Sequence, residues 1–198
     1  MAKSSWMIKF VVVGLCIVFS SSAALAQAPN IAQLSTKLAA ESEAYCVATA
    51  AKEKLTPQLI MDKVGQACTL VEKEGSPAFT KFLGKDSPFI FGGTYIWIHD
   101  LDGNMILHPI KPAMIGKPLI NLKDKNGKLF FTTMNKLAEE KGSGWVSYIW
   151  ERPGKKGEFG LKSSFVKKCK TPDGKVLVLG CGEFDLEKAL ADMGVKPN

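Results

Sequence analysis

The sequence predicts an α+β domain, with helices packed on a sheet of five mainly antiparallel strands. Three observations predict it. Apolar residues before residue 85 recur at helical spacing, whereas those from Tyr95 onward alternate at strand spacing. Two Asp-Gly steps, Asp102-Gly103 and Asp173-Gly174, each stand between β-branched or aromatic runs, where a tight reversal needs positive φ. No internal repeat and no linker marks a second folding unit.

Residues 1–26 read as a secretory leader rather than as part of the fold. Lys3 and Lys9 precede or border the apolar run Phe10–Phe19, and Ala24-Leu25-Ala26 is an A-x-A cleavage site. The run is short for a membrane span, with an uncleaved anchor as the alternative, and the residues before Cys16 do not suit lipid attachment. Residues 27–198 are then a single soluble, periplasmic or secreted domain, large enough for a real core. Loss of the two lysines takes the formal charge from +7 to +5. The remaining basic residues are dispersed among acidic ones, with Lys155, Lys156, Lys167, Lys168 and Lys170 the main group. That is no stripe for nucleic acid, and a solvated surface or the attraction of small anions fits it better.

Ile31–Leu55 reads as a long amphipathic helix with Ile31, Leu34, Leu38, Tyr45 and Ala48 near one stripe. Thr56-Pro57 supplies an N-cap and an N1 proline for a second helix to about Glu74, with Ile60, Val64, Ala67, Cys68 and Val71 inward. Ser76-Pro77 starts a shorter helix to about Leu83. Tyr95–His99 and Met105–His108 form a hairpin around Asp100–Asn104. Alternation puts Tyr95, Trp97 and His99 on one face and Ile96 and Ile98 on the other. His99, beside the turn, is expected to be exposed. Pro109 restricts His108 to extended geometry at a defined strand end. The apolar, Pro- and Gly-punctuated stretch Ile110–Pro118 reads as the wall of a small cavity. After a turn at Asp124–Gly127, Lys128–Lys141 reads as a helix with Leu129, Thr133, Met134 and Leu137 inward. Trp145–Trp150 is a strand, Lys162–Lys170 and Lys175–Glu183 are a second hairpin, and Asp185–Met193 is a terminal helix.

Four cysteines follow the leader: Cys46, Cys68, Cys169 and Cys181. An oxidising compartment and an even count suggest disulfides. An antiparallel pair of the first two helices would bring Cys46 and Cys68 level, and this pairing is favoured. In the second hairpin Cys169 and Cys181 fall about four residues out of register, so a bond between them needs a bulge or a slipped register. No Cys-x-x-Cys is present for a zinc ribbon, a redox pair or haem attachment. Asp100, Asp102 and Asn104 open like a calcium loop but lack its later oxygen ligands, which favours a plain turn. There is no Gly-x-Ser-x-Gly elbow and no His-Glu-x-x-His helix, so neither catalysis nor a metal or cofactor is expected.

Seven pieces in order, Tyr95-Ile-Trp-Ile with Asp100 and Asp102-Gly103, Leu107-His108-Pro109, Ile115-Gly116-Lys117, Asp124 with Gly127, Gly144-Trp145-Val146 with Tyr148 and Trp150, Lys162 with Ser164-Phe165-Val166, and Gly180-Cys181-Gly182, together resemble the single Cache domain, type 2. The resemblance runs from about Thr36 to the C-terminus. It implies a long N-terminal helix on a PAS-like antiparallel sheet whose other face and loops hold a small ligand, in relatives that are extracellular sensors of chemoreceptors and histidine kinases. Many of these recognise short-chain carboxylates. Phe165 and the Glu183-Phe184 ending depart from the family's usual tyrosines.

The expectation is therefore an exported module binding a small organic acid and signalling through a membrane receptor or kinase, with a parallel homodimer through the long helix plausible by resemblance. An interaction scaffold is the alternative, and an enzyme a more remote one. A small carboxylate needs a cation or strong donors and an aromatic wall. The ligand-binding candidates are His108 and Lys162 for charge, Tyr95, Tyr148 and Trp150 as donors and walls, and Trp97 for shape. Their bland alternatives are core packing for the aromatics, a structural hydrogen bond for His108 and an exposed strand-edge position for Lys162.

Overall fold

The computed structural model describes residues 30–198, so the expected leader lies outside the described residues. Helix α1 (Ile31–Thr49) starts at Asn30, whose side chain accepts from the Ala32 and Gln33 amides. Helix α2 (Pro57–Glu74) starts at the Thr56 cap with proline at its first turn. A 3₁₀ segment (Ser76–Phe82) leads to β1 (Ile90–Phe91), β2 (Thr94–Asp100) and β3 (Met105–Leu107). Then come a 3₁₀ turn (Pro112–Met114), α3 (Phe130–Lys141), β4 (Ser143–Glu151), β5 (Phe159–Lys170), β6 (Val176–Phe184) and α4 (Glu187–Asp192). The described strands form one six-stranded antiparallel sheet in the order β1-β2-β6-β5-β4, with β3 also paired to β2. The two-residue β1 is the strand beyond the five expected from sequence.

Register sorts the side chains onto two faces. Trp97 lies opposite Gly180 and Ile98 opposite Leu179, while Tyr148 pairs with Lys162, which pairs with Phe184. Ile96, Ile98, Trp145, Phe165, Cys169, Leu177 and Leu179 therefore join Ile60, Val64, Ala67, Cys68 and Val71 of α2 in one apolar cluster. Tyr95, Trp97, Val146, Tyr148 and Val178 join Phe130, Phe131, Met134 and Leu137 of α3 in a second cluster on the opposite face. Helices thus cover both sides of the sheet.

The bond in the protein joins Cys68 to Cys169, 101 residues apart, with Cα atoms 5.6 Å from each other. The Cys46–Cys68 pairing is overturned, because α1 and α2 are not a helical hairpin presenting both cysteines to one another. Cys46 belongs to the α3-side cluster and Cys68 to the α2-side cluster. The register argument against Cys169–Cys181 holds, since Cys169 pairs with Leu177 and Cys181 with Phe165. Cys46 and Cys181 are buried and unbonded among the described residues.

Helix α1 also departs from its expected stripe. Its buried positions are Ser35, Ser42, Cys46 and Thr49, while Ala48 is exposed and Ile31, Leu34 and Leu38 are half-buried. The reason is what α1 packs against. Ser35 Oγ donates to the His108 carbonyl at 2.8 Å, Ser42 Oγ accepts from the Gly84 amide at 2.8 Å, and Thr49 Oγ1 accepts from the Gly93 amide at 3.1 Å. Small hydroxyl residues let the helix lie close to loop backbone and satisfy it. At Gly93, with φ of +85°, an added Cβ would press on Ala50 of the same helix end.

Candidate functional site

The face beneath α3 encloses a cavity lined by Tyr95, Trp97, Met105, His108, Met114, Phe130, Phe131, Tyr148 and Trp150. Five of the six residues expected from sequence thus meet around one space. It offers about 10 Å³ to the centre of a water molecule, roughly the room for one water. Two glycines of β6 make the face flat enough for these rings: a Cβ at Gly180 would overlap the Trp97 indole, and one at Gly182 would overlap Ser164.

Each polar group has a defined state. The Lys111 amide donates to His108 Nδ1 at 3.0 Å, which places the imidazole proton on Nε2. Burial, then the charges of Lys162 and Lys111, hold His108 well below the usual histidine range. His108 therefore brings a neutral N–H donor and not the charge expected of it. Its ring centroid is 5.0 Å from that of Tyr95. Burial pushes the Tyr95 hydroxyl well above its ordinary pKa, so it too is a neutral donor. Tyr148 stacks on Phe130 at 4.4 Å and shares a 3.0 Å hydrogen bond with Ser164 Oγ. Its hydroxyl is engaged, which leaves the ring as wall.

Trp97 is also committed. Its indole N–H donates to His99 Nδ1 at 3.2 Å, and His99 Nε2 donates to Asn135 Oδ1 at 2.9 Å. Asn135 Nδ2 in turn donates to the Leu101 carbonyl at 2.7 Å. This chain corrects the expectation of an exposed His99, which is 0 % exposed. Position 99 belongs to the inward set of β2, and Asn135 of α3 gives the ring a partner there. Burial lowers its pKa to about 4.

Lys162 stands apart from the cavity lining. It is 1 % exposed, so the strand-edge alternative fails, and its ammonium lies 4.6 Å from the Tyr95 ring centroid and 5.7 Å from that of Trp97. Burial lowers its pKa, opposed by the nearby Cys181, Glu183 and Cys46. Among the described residues no cation lines the cavity itself. A second cation beside the lining is Lys111, which sequence reading passed over: its ammonium lies 5.4 Å from the Trp150 ring and forms an ion pair with Glu151. That hydrogen bond holds the Glu151 carboxyl below its usual range.

Reading by pattern also missed Met105, Phe130 and Phe131. Phe130-Phe131 at the start of α3 was the available signal, since two aromatics ahead of an amphipathic helix call for a buried place. The turn residues Asp100 and Asn104 bond each other, Asn104 N to Asp100 Oδ1 at 2.7 Å, as in a plain hairpin closure. Among the described residues, no helix is long and apolar enough to cross a membrane.

Comparison with known proteins agrees with this architecture. A methyl-accepting chemotaxis protein of Pseudomonas putida, McpP, is 33 % identical over 97 residues, which are 49 % of this chain and 18 % of the receptor. The match thus spans under a fifth of the length of that relative. A solved Cache chemosensory domain, reported for the structural basis of its carboxylic acid recognition, is 28 % identical with a TM-score of 0.52, covering 65 % of this chain and 92 % of that one. The crystal structure of a methyl-accepting chemotaxis protein from Vibrio parahaemolyticus shares the fold at 19 % identity and a TM-score of 0.51, covering 77 % of this chain and 99 % of that one. The family model for the Cache domain matches residues 32–196, and the chain belongs to the Cache domain family.

Proposed function

We propose that the protein is an exported binding module for a short-chain organic acid, reporting its occupancy to a membrane receptor or kinase. The observation that carries this reading is the aromatic cavity, in which the neutral donors of Tyr95 and His108 face a space walled by Phe130, Tyr148, Trp150 and Met114. Such a site excludes water from an anion while offering it N–H and O–H groups. Similarity to a Cache domain that recognises carboxylic acids supports the ligand class, and similarity to chemotaxis receptors supports a membrane partner. In this reading residues 1–26 are removed after Ala26, Trp97 sets cavity shape, and Lys162 adds positive potential beside Tyr95. A homodimer through α1 would fit the same role.

The small free volume favours one rival, a scaffold whose interior is filled by its own side chains. Thermal unfolding of residues 27–198 with short carboxylates, amino acids and amines separates the two. A ligand at about 100 times its dissociation constant adds roughly 2.7 kcal/mol, a shift of roughly 5–10 °C for a domain of this size. A shift confined to carboxylates and lost in His108→Ala is the expected result. No shift with any compound would favour the scaffold.

A further inference from the structure

Outside the cavity lies a second, open space of about 460 Å³ whose charged walls are Glu43, Lys111, Glu151, Arg152, Lys155 and Lys156. Four cations face two carboxylates, so the groove attracts small anions. Lys111 and Glu151 line this groove, and Lys111 also lies against the cavity wall at Trp150. Glu151 directly follows the cavity residue Trp150, and the Lys111 ammonium lies 5.4 Å from the Trp150 ring centroid. The backbone N–H of the same lysine holds His108, so its position is tied to that of the cavity's imidazole donor.

Both members of the pair are held in place. The side chains of Lys111 and Glu151 are 32 % and 24 % exposed, and the second Glu151 oxygen accepts from the Gly157 amide at 2.9 Å. Glu151 thus presents a carboxylate to the cation beside Trp150, in a partly dehydrated setting where such a bond is strong. The ammonium of Lys162 instead faces the rings of Tyr95, Trp97 and Phe184.

We propose that Lys111 is the cation that receives the ligand's carboxylate, and that Glu151 is a built-in competitor for it. This rests on the organic-acid reading above and names the charged partner within it. Binding is then an exchange of carboxylates on Lys111. Glu151 swings towards Arg152, Lys155 and Lys156 of the groove, and its negative charge stays neutralised while the ligand's charge takes its place. The competition sets a threshold: removing the internal carboxylate sharpens affinity without adding any contact to the ligand.

The test is calorimetric titration of the purified protein with propionate and with its uncharged isostere propionamide, in the parent, Lys111→Gln, Glu151→Gln and the double variant, after circular dichroism has shown each to be folded. Glu151→Gln is expected to bind propionate about tenfold more tightly, and Lys111→Gln about tenfold more weakly, the size of one charged hydrogen bond. Lys111→Gln should also lose most of the preference for propionate over propionamide, which a merely structural lysine would not change. The double variant should match Lys111→Gln. Weaker binding in Glu151→Gln, or an unchanged preference in Lys111→Gln, would overturn the inference and leave the sensor reading standing. Loss of the preference in Lys162→Gln alone would also overturn it, by moving the anion to that lysine. Absence of binding in every variant, Glu151→Gln included, would remove the organic-acid reading and this inference with it.

Discussion

On the α2 side of the sheet, Ile96, Ile98, Leu177 and Leu179 meet aliphatic helix residues and a disulfide, whereas on the α3 side Tyr95, Trp97, His99 and Tyr148 carry polar atoms that each need a partner. Both faces come from the same strands, alternate residues going to each. The first face is stabilised by hydrocarbon burial and a covalent link between α2 and β5, which tolerate little rearrangement. Its one buried side-chain polar atom without a hydrogen-bond partner among the described residues is the Trp145 indole N–H. The second face is held by hydrogen-bond chains running through Trp97, His99 and Asn135 and through Tyr148 and Ser164. Bonds of that kind fix orientation, and they leave cavity-facing donors where a ligand could use them. The comparison teaches a difference in construction: one side is closed by hydrocarbon and a disulfide, the other leaves donors beside a cavity, so in the proposed reading only substitutions on the second side should change ligand binding.

The largest effect should come from the disulfide. Cys68→Ser or Cys169→Ser opens a loop of 101 residues, which in the chain-entropy account removes about 4–5 kcal/mol of stability. Urea unfolding would measure it, and carboxylate affinity of the folded fraction should be unchanged. Lost affinity at unaltered stability would break the division between faces.

His99 comes next, through pH. Its pKa is about 4 in the folded protein against about 6.5 unfolded, so between those values the unfolded chain takes up a proton that the native state excludes. Its contribution is therefore fully present above pH 6.5 and is lost as pH falls towards 4, by about 3 kcal/mol in total. Protonation at Nδ1 also removes the acceptor for Trp97. His108 titrates in the same direction, so unfolding free energy against pH should be compared between the parent and His99→Gln. The variant should show a visibly shallower acid slope; identical slopes would contradict the buried neutral chain.

Gly180→Ala should cost about 2 kcal/mol, because the new methyl overlaps the Trp97 ring and must displace it. Displacing that ring also reshapes the cavity, so this variant should lose carboxylate binding along with stability. A variant as stable as the parent would mean that Trp97 is not held against β6. The smallest effect is expected for Tyr148→Phe, about 1 kcal/mol, from the hydrogen bond to Ser164 that it removes. Binding should survive, since the ring remains as wall.

Strand alternation was sufficient to sort Tyr95, Trp97, Tyr148 and Trp150 onto one face, because the side-chain period of two leaves a strand only two choices. The inward stripe of α2 was legible for a similar reason, with Ile60, Val64, Ala67, Cys68 and Val71 all buried. Helix α1 was not, because its contacts are with loop backbone and its buried positions are Ser35, Ser42 and Thr49, which hydropathy reads as polar surface. The cysteine pairing failed with it, since which face of the sheet a helix covers is a tertiary choice that spacing does not encode. His99 and Lys162 were misjudged as exposed or open to exposure for want of their partners: Asn135 lies 36 residues from His99, and the rings around Lys162 come from β2 and β6. Lys111 was overlooked because its carboxylate, Glu151, is 40 residues away.

The most direct measurement follows the indole N–H resonances of residues 27–198 by nuclear magnetic resonance during titration with a short carboxylate. Trp97 and Trp150 line the cavity, while Trp145 lies in the cluster on the α2 side, so the three report on the two faces separately. Movement of the Trp150 and Trp97 signals, with Trp145 still, is the result predicted for a ligand held on the α3 side. A shift of Trp145 alone, or a bound ligand that moves none of the three, would contradict it.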